Sequence, residues 1–332
     1  MLPLFVETMH GQVVQCPSGL QPYRLLNCNV LTRRSTDTTK WTLKPELVAK
    51  LKGIDLKARL VVEGFLAGLH RSPYKGFSVE FTEHRPYMPG DELKRIDWRV
   101  YGRTDRFFIR EFEEETNLRA YILLDASGSM HYPADGITKL DYSRWLSASL
   151  AYLLTRQKDS VGLIVFTDRI NTYIPPRASG AHLRIIFREL ENTKPGGDTN
   201  LAYTLHQLAE RLKRRGLVII ISDLWDDQIQ VLSGLRHFRA RKHELLLFHI
   251  FHPDEANLNF PTPLLLRDLE TGVELTVDPR LIKMRYQEGF HQRSADFKKG
   301  CSEARIDYQP LSLATPFDQA LLKYLERRRR LS

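Results

Sequence analysis

Cysteine is scarce: Cys16, Cys28 and Cys301 are the three in 332 residues. Their number is odd and no CxxC spacing occurs, so neither a disulfide framework nor a zinc site is suggested. A reducing compartment, the cytoplasm, is therefore expected. Long apolar runs are missing too. No stretch reaches the roughly 18 successive apolar residues of a membrane span, and the longest candidates, Leu217–Ile221 and Leu245–Phe251, have the length of buried strands. The first residues lack the charged start and apolar core of a secretory signal, and Gln15 before Cys16 is not the small residue of a lipoprotein cleavage site. A soluble, cytoplasmic chain is the expectation. There is no GxxxxGK[ST] loop to cradle a nucleotide, so the chain itself is not expected to hydrolyse ATP. Internal repeats and low-complexity runs are absent.

What is present supports a sizeable core, with 42% hydrophobic residues, and the length suits one main domain with an elaboration. The formal charge of +9 raises the question of nucleic acid. The positive residues are spread over many segments, however, and Phe81–Glu115 is rich in both signs, as internal ion pairing requires. Three clusters are locally basic: Arg211–Arg215, Arg236–His243 and Arg327–Arg330. Each falls near an expected helix carboxyl end, where cations complement the dipole, and nucleic acid is not expected as a partner.

The chemistry concentrates where the apolar segment YILLD runs into ASGSM, from Tyr121 to Met130. A strand there delivers Asp125 to the carboxyl edge of a sheet, and the following turn fans Ser127 and Ser129 toward the same point. All are oxygen donors, the kind that hard cations such as Mg²⁺ prefer. The triplet alone is also compatible with helix capping. Two further segments add matching contexts: PGGDTNL puts Thr199 at a glycine-rich turn entering a helix, and LVIIISDLWDD ends a second buried strand on Asp223.

Around these points the pattern alternates: strand Ala120–Leu124, helix Tyr142–Gln157, strand Val161–Phe166, helices Ala181–Leu190 and Leu201–Arg214, strand Leu217–Ile221, helix Ile229–Arg239 and strand Leu245–His249. This predicts an α/β fold, a doubly wound, mainly parallel sheet with helices on both faces. An ETG turn at Glu270–Gly272 marks a hairpin, and two helices flank a strand near Ile306. Upstream, residues 1–40 read as a poorly ordered extension. From Pro45, apolar Leu47, Leu51, Ile54, Leu60, Phe65 and Leu69 predict one or two amphipathic helices, and Phe77–Phe112 predicts short strands around a GDE turn and a brief helix. The expected organisation is thus an extension (1–40), a smaller amino-terminal α+β module (41–118) and the main domain (119–332), with a hairpin insertion near 264–277.

The five oxygen residues resemble the metal-ion-dependent adhesion site of the von Willebrand factor A domain, which uses a DxSxS turn, a distant Thr and a distant Asp. The resemblance implies Ser127, Ser129 and Thr199 as hydroxyl ligands, with Asp125 and Asp223 acting mostly through metal-bound waters. A closer resemblance covers about Leu43 to Arg330. The stretch HRPYMPGDELKRIDWRVYGRTDRFFIREFEEE, then LRHFRARKHELLLFHIFHPDEANLNFP, LLLRDLETGVELTVDP and PFDQALLKYLERR, are similar to the bacterial domain of unknown function 58 family, which has a von Willebrand A-like half. Tyr101 departs from that pattern, where a small residue is more usual, as does Asp198, an extra acid beside Thr199. The family likeness implies a non-enzymatic, Mg²⁺-dependent interaction module (Mn²⁺ being an alternative ion) whose shell is completed by a partner's acidic residue, the partner being a MoxR-type AAA+ ATPase.

Other chemistry competes with this reading. A haloacid-dehalogenase-like phosphatase also sets an Asp at a strand end, and SDLWDD offers Asp226 and Asp227 as further acids. The residue two after Asp125, though, is Ser127 rather than the acid that would protonate a leaving group. His249 and His252 lie near each other in sequence but are read as packing or loop residues, and Trp98 in RIDWR as an interior wedge stacked by Arg95 or Arg99.

Overall fold

Aliphatic runs such as LVIII have no polar face, so as strands they need cover on both sides. They become the centre of a six-stranded sheet in the computed structural model, which describes residues 5–6, 44–71, 84–86, 98–110, 118–133, 136–197, 200–258, 264–267 and 274–329. The strands are β1 (Phe5–Val6), β2 (His84–Pro86), β3 (Phe108–Arg110), β4 (Arg119–Asp125), β5 (Ser160–Phe166), β6 (Ile170–Arg177), β7 (Leu217–Ser222), β8 (Glu244–Phe251), β9 (Leu264–Arg267), β10 (Glu274–Val277) and β11 (Asp307–Ser312). The helices are α1 (Pro45–Ala49), α2 (Ile54–Arg71), α3 (Trp98–Thr104), α4 (Lys139–Arg156), α5 (Gly180–Asn192), α6 (Leu201–Arg211), α7 (Gln228–Ala240), α8 (Pro253–Asn257), α9 (Pro279–Glu303) and α10 (Phe317–Arg329).

The main sheet runs β11-β8-β7-β4-β5-β6, every neighbouring pair being parallel except β5–β6. Side chains alternate across it. Ile122 and Leu124 of β4 join a core with Val62 of α2, Leu146 of α4, Ile186 of α5 and Leu321 of α10. Tyr121 and Leu123 join the opposite core with Leu205 of α6, Leu235 of α7 and Phe297 of α9. The fold is therefore the doubly wound α/β sheet that the alternation predicts. Chain leaving β4 reaches a helix on one face, whereas chain leaving its neighbour β7 reaches a helix on the other. In open α/β sheets ligands bind in the crevice outside such strand ends, at the switch point of the topology.

Several expected boundaries shift for identifiable reasons. β4 extends one residue beyond Ala120–Leu124 at each end. β6 was not expected, because INTYIPPR carries Pro175 and Pro176; it is the antiparallel edge strand, where missing N–H groups are tolerated. α4 starts at Lys139 rather than Tyr142. Thr138 forms a capping box, its hydroxyl accepting from the Asp141 N–H at 2.9 Å while the Asp141 carboxylate accepts from the Thr138 N–H at 3.3 Å. α1 does begin at Pro45, but the buried face of α2 is Ala58, Val61, Val62 and Phe65, spaced i, i+3, i+4, i+7, which leaves Leu60 on the exposed side, as is Leu47 of α1.

Trp98 is 61% exposed, which corrects its reading as an interior wedge; its ring meets the edge of Tyr101 at 6.1 Å. β9 and β10 pair antiparallel, Leu264 opposite Val277 and Arg267 opposite Glu274, while their ETG turn lies outside the described residues. So do the GDE turn and, apart from Phe5–Val6, the extension over residues 1–40. Among the described residues no helix is long and apolar enough to cross a membrane.

Candidate functional site

Asp125 is the last residue of β4 and lies level with Ser222 at the end of β7, since Leu124 pairs with Ile221. The buried Asp125 carboxylate accepts from the Ser222 hydroxyl at 2.6 Å and from the Ser127 N–H at 2.9 Å. The second bond bends the chain back over the strand end. A short 3-10 turn, Gly128–His131, follows and leaves the buried Ser127 and Ser129 hydroxyl oxygens 3.1 Å apart.

The glycine-rich loop is tied to this turn from both sides. The Gly128 N–H donates to the Gly197 carbonyl at 3.2 Å, and the Gly196 N–H donates to the Ala126 carbonyl at 3.0 Å. Gly197 has φ +79°, which a side chain would strain, so glycine lets this loop approach. Asn200 then caps α6. Thr199 and Asp198, between these two anchors, lie outside the described residues.

Asp223 follows β7 and is buried beside Asp125. Its Oδ1 accepts from the Trp225 N–H at 3.3 Å, and its Oδ2 is 2.7 Å from the Lys139 ammonium. Lys139 is fully buried and also donates to Glu255 Oε1 at 2.7 Å. Burial opposes its charge, but Asp223 and Glu255 outweigh that penalty and raise its pKa. Glu255 in turn accepts from the His252 N–H, closing the capping box of α8.

Lys139, Glu255 and Ser222 were not singled out from sequence. Lys139 carried a signal nonetheless, because the T-K-L-D capping box puts a cation on the first residue of a helix, against the dipole. The histidines have packing roles: His249 shares a hydrogen bond with Tyr308 at 2.5 Å and its pKa is lowered to about 4, chiefly by burial, while His252 caps α8.

The Asp125 pKa is raised to about 6, first by burial and then by the charge of Asp223, with the Ser222 and Ser127 hydrogen bonds pulling the other way. Its ordinary value is 3.8, so the folded state keeps the proton at pH values where the unfolded state has lost it. Ionising it then costs stability as pH rises through that window, fully above about pH 6 and not at all below about 3.8. In EDTA, Asp125→Asn is expected to be more stable than the wild type by about 2–3 kcal/mol near neutral pH, the advantage vanishing in acid. Urea unfolding on both sides of the window checks this; an offset independent of pH would contradict it.

Two carboxylates and two hydroxyls at one strand edge make an all-oxygen donor set, which suits a hard divalent cation. Among the described residues no group of three or more His, Cys, Asp and Glu side chains is placed to hold a metal ion.

A family model described as protein of unknown function DUF58 matches residues 83–296, well over half of the chain. The uncharacterized protein Rv1480 of Mycobacterium tuberculosis is 29% identical over 243 residues, covering 71% of this chain and 76% of that protein. The uncharacterized protein Mb1516 of Mycobacterium bovis has the same identity and coverage. Among solved structures, the conserved hypothetical protein BatB from Bacteroides thetaiotaomicron superposes with a TM-score of 0.45 at 17% identity, over 65% of this chain and 100% of that one. The SpRpn10 VWA domain gives 0.36 at 11%, over 62% and 93%. The observed strand order, not the likeness, brings Asp125 and Ser222 to one edge of the sheet. The doubly wound α/β chain belongs to the DUF58 family.

Proposed function

We propose that this protein is a non-enzymatic, divalent-metal-dependent interaction module of the bacterial cytoplasm. Ser127, Ser129 and Thr199 would hold Mg²⁺, or Mn²⁺ in its place, while Asp125 and Asp223 orient its waters. When bound, the ion supplies an electrophilic position for a carboxylate from outside. The observation that carries the reading is the buried pair of hydroxyls, 3.1 Å apart, beside Asp125 at the switch point of the sheet. The resemblance of the five oxygen residues to a von Willebrand factor A adhesion site favours protein interaction, and the family likeness favours a MoxR-type AAA+ ATPase as the partner that offers an Asp or Glu.

The protein's own groups prepare the site. The Ser222 hydroxyl and Ser127 N–H orient Asp125, and the loop around Gly196 and Gly197 braces the turn. The phosphatase alternative needs acids downstream of Asp223. Asp226 is engaged with the N–H groups of Ala202 and Asp227, and Asp227 caps α7, which favours structural work for both.

Capture from a native lysate in Mg²⁺, in EDTA, and with Asp125→Ala tests the proposal. An AAA+ ATPase retained in the first arm and lost in the other two is the expected result. The same ATPase in all three arms would place the interaction elsewhere, and turnover of phosphate esters lost in Asp125→Asn would favour the phosphatase.

A further inference from the structure

A buried lysine against a carboxylate of the crevice is an unusual neighbour for a divalent site. Lys139 is 0% exposed, and its ammonium lies 2.7 Å from Asp223 Oδ2 and 2.7 Å from Glu255 Oε1. The Tyr132 ring lies 5.9 Å away, and the Lys139 N–H is fixed to the Tyr132 carbonyl at 2.8 Å. Helix α4 begins at this residue, so the ammonium lies at the positive end of the helix dipole. Only paired acids make a fully buried ammonium tolerable.

We infer that Lys139 is a built-in counter-cation of the crevice, occupying one oxygen of Asp223 and so weakening the site's hold on a divalent ion. The inference rests on the crevice being a cation site. Two effects act in the same direction. The ammonium repels an incoming cation at short range in a poorly screened interior. It also engages the carboxylate oxygen that would otherwise accept from a metal-bound water. Glu255 balances Lys139, anchoring the ammonium from the α8 side. A site weakened in this way leaves the ion dependent on one more carboxylate for tight binding, and a partner is the natural source. Lys139 would thus set the affinity threshold at which metal and partner bind together.

The test uses the full chain and Mn²⁺ alone, followed by titration calorimetry at neutral pH. Lys139→Met is expected to bind Mn²⁺ at least about tenfold more tightly than the wild type. Should that variant fold poorly with the buried Asp223 and the part-buried Glu255 both left without the ammonium, Lys139→Met with Glu255→Gln removes one charge of each sign and still frees Asp223; a comparable rise is expected. Glu255→Gln alone keeps the ammonium on Asp223 and is expected to show no rise. Affinity in the double variant equal to or below that of the wild type would overturn the inference while leaving the metal-dependent module standing. Uptake by the double variant but none by the wild type would support the inference and defeat that module. No uptake by any variant would end both, and a rise with Glu255→Gln alone would overturn the role given to the ammonium.

Discussion

In metal-free buffer, Lys139→Met is expected to lower the stability of the chain by about 3–5 kcal/mol, the cost of breaking a buried ion pair from one side. Methionine fills much the same length, so packing accounts for little of the loss. What remains is Asp223 at 4% exposure beside Asp125, with Glu255 also left without the ammonium. Adding Glu255→Gln is expected to recover part of the loss, because one of the uncompensated charges disappears. The two substitutions should therefore be strongly non-additive in a double-mutant cycle measured by urea unfolding. A loss below about 1 kcal/mol for Lys139→Met, the range of an exposed pair, would mean that the ammonium is not held as described.

The second large effect concerns the hydroxyls. Replacing Ser127 and Ser129 together with alanine is expected to weaken Mg²⁺ binding by about 100-fold or more, since altering groups that merely orient metal ligands already costs 10–100-fold. Stability in EDTA should change little. The two hydroxyls face each other at 3.1 Å and are removed together, and the buried Asp125, which loses the Ser127 hydroxyl, keeps the Ser222 hydroxyl and the Ser127 N–H as donors. Calorimetric titration with Mg²⁺ reads the first effect and urea unfolding the second. Unchanged affinity in the double variant would remove both serines from the site.

The sheet was legible because its central strands are short, wholly apolar and separated by amphipathic helices; β4 and β7 are buried along nearly their entire length. The edge strand β6 was hidden by its two prolines and half-buried pattern, since an edge is defined by what fails to pair with it. The α2 face was only half legible. Phe65 and Ile54 are buried as expected, yet Leu60 is not, because the register of that face is decided by contact with α4, which sequence spacing does not specify.

The candidate site divides in the same way. Asp125, Ser127 and Ser129 announce themselves by their spacing after an apolar strand, and Asp223 by ending a second such strand. Lys139 and Glu255 are 116 positions apart and meet only because the chain ends of α4 and β8 converge on one edge of the sheet. Pairing of that kind is a product of topology, and a lone lysine in a capping motif reads as solvated until its surroundings are known. Ser222 is similar: a serine at the end of an apolar strand gains its role only from the register that sets it level with Asp125.

The proposed function requires that the strand edge carrying Asp125, Ser127, Ser129 and Asp223 take up a divalent ion. Titrating the purified full chain with Mn²⁺ and counting free ion by electron paramagnetic resonance addresses it most directly. The account predicts one saturable site per chain that Mg²⁺ displaces and that Asp125→Ala abolishes. Uptake that never saturates, or a saturable site untouched by Asp125→Ala, would contradict it.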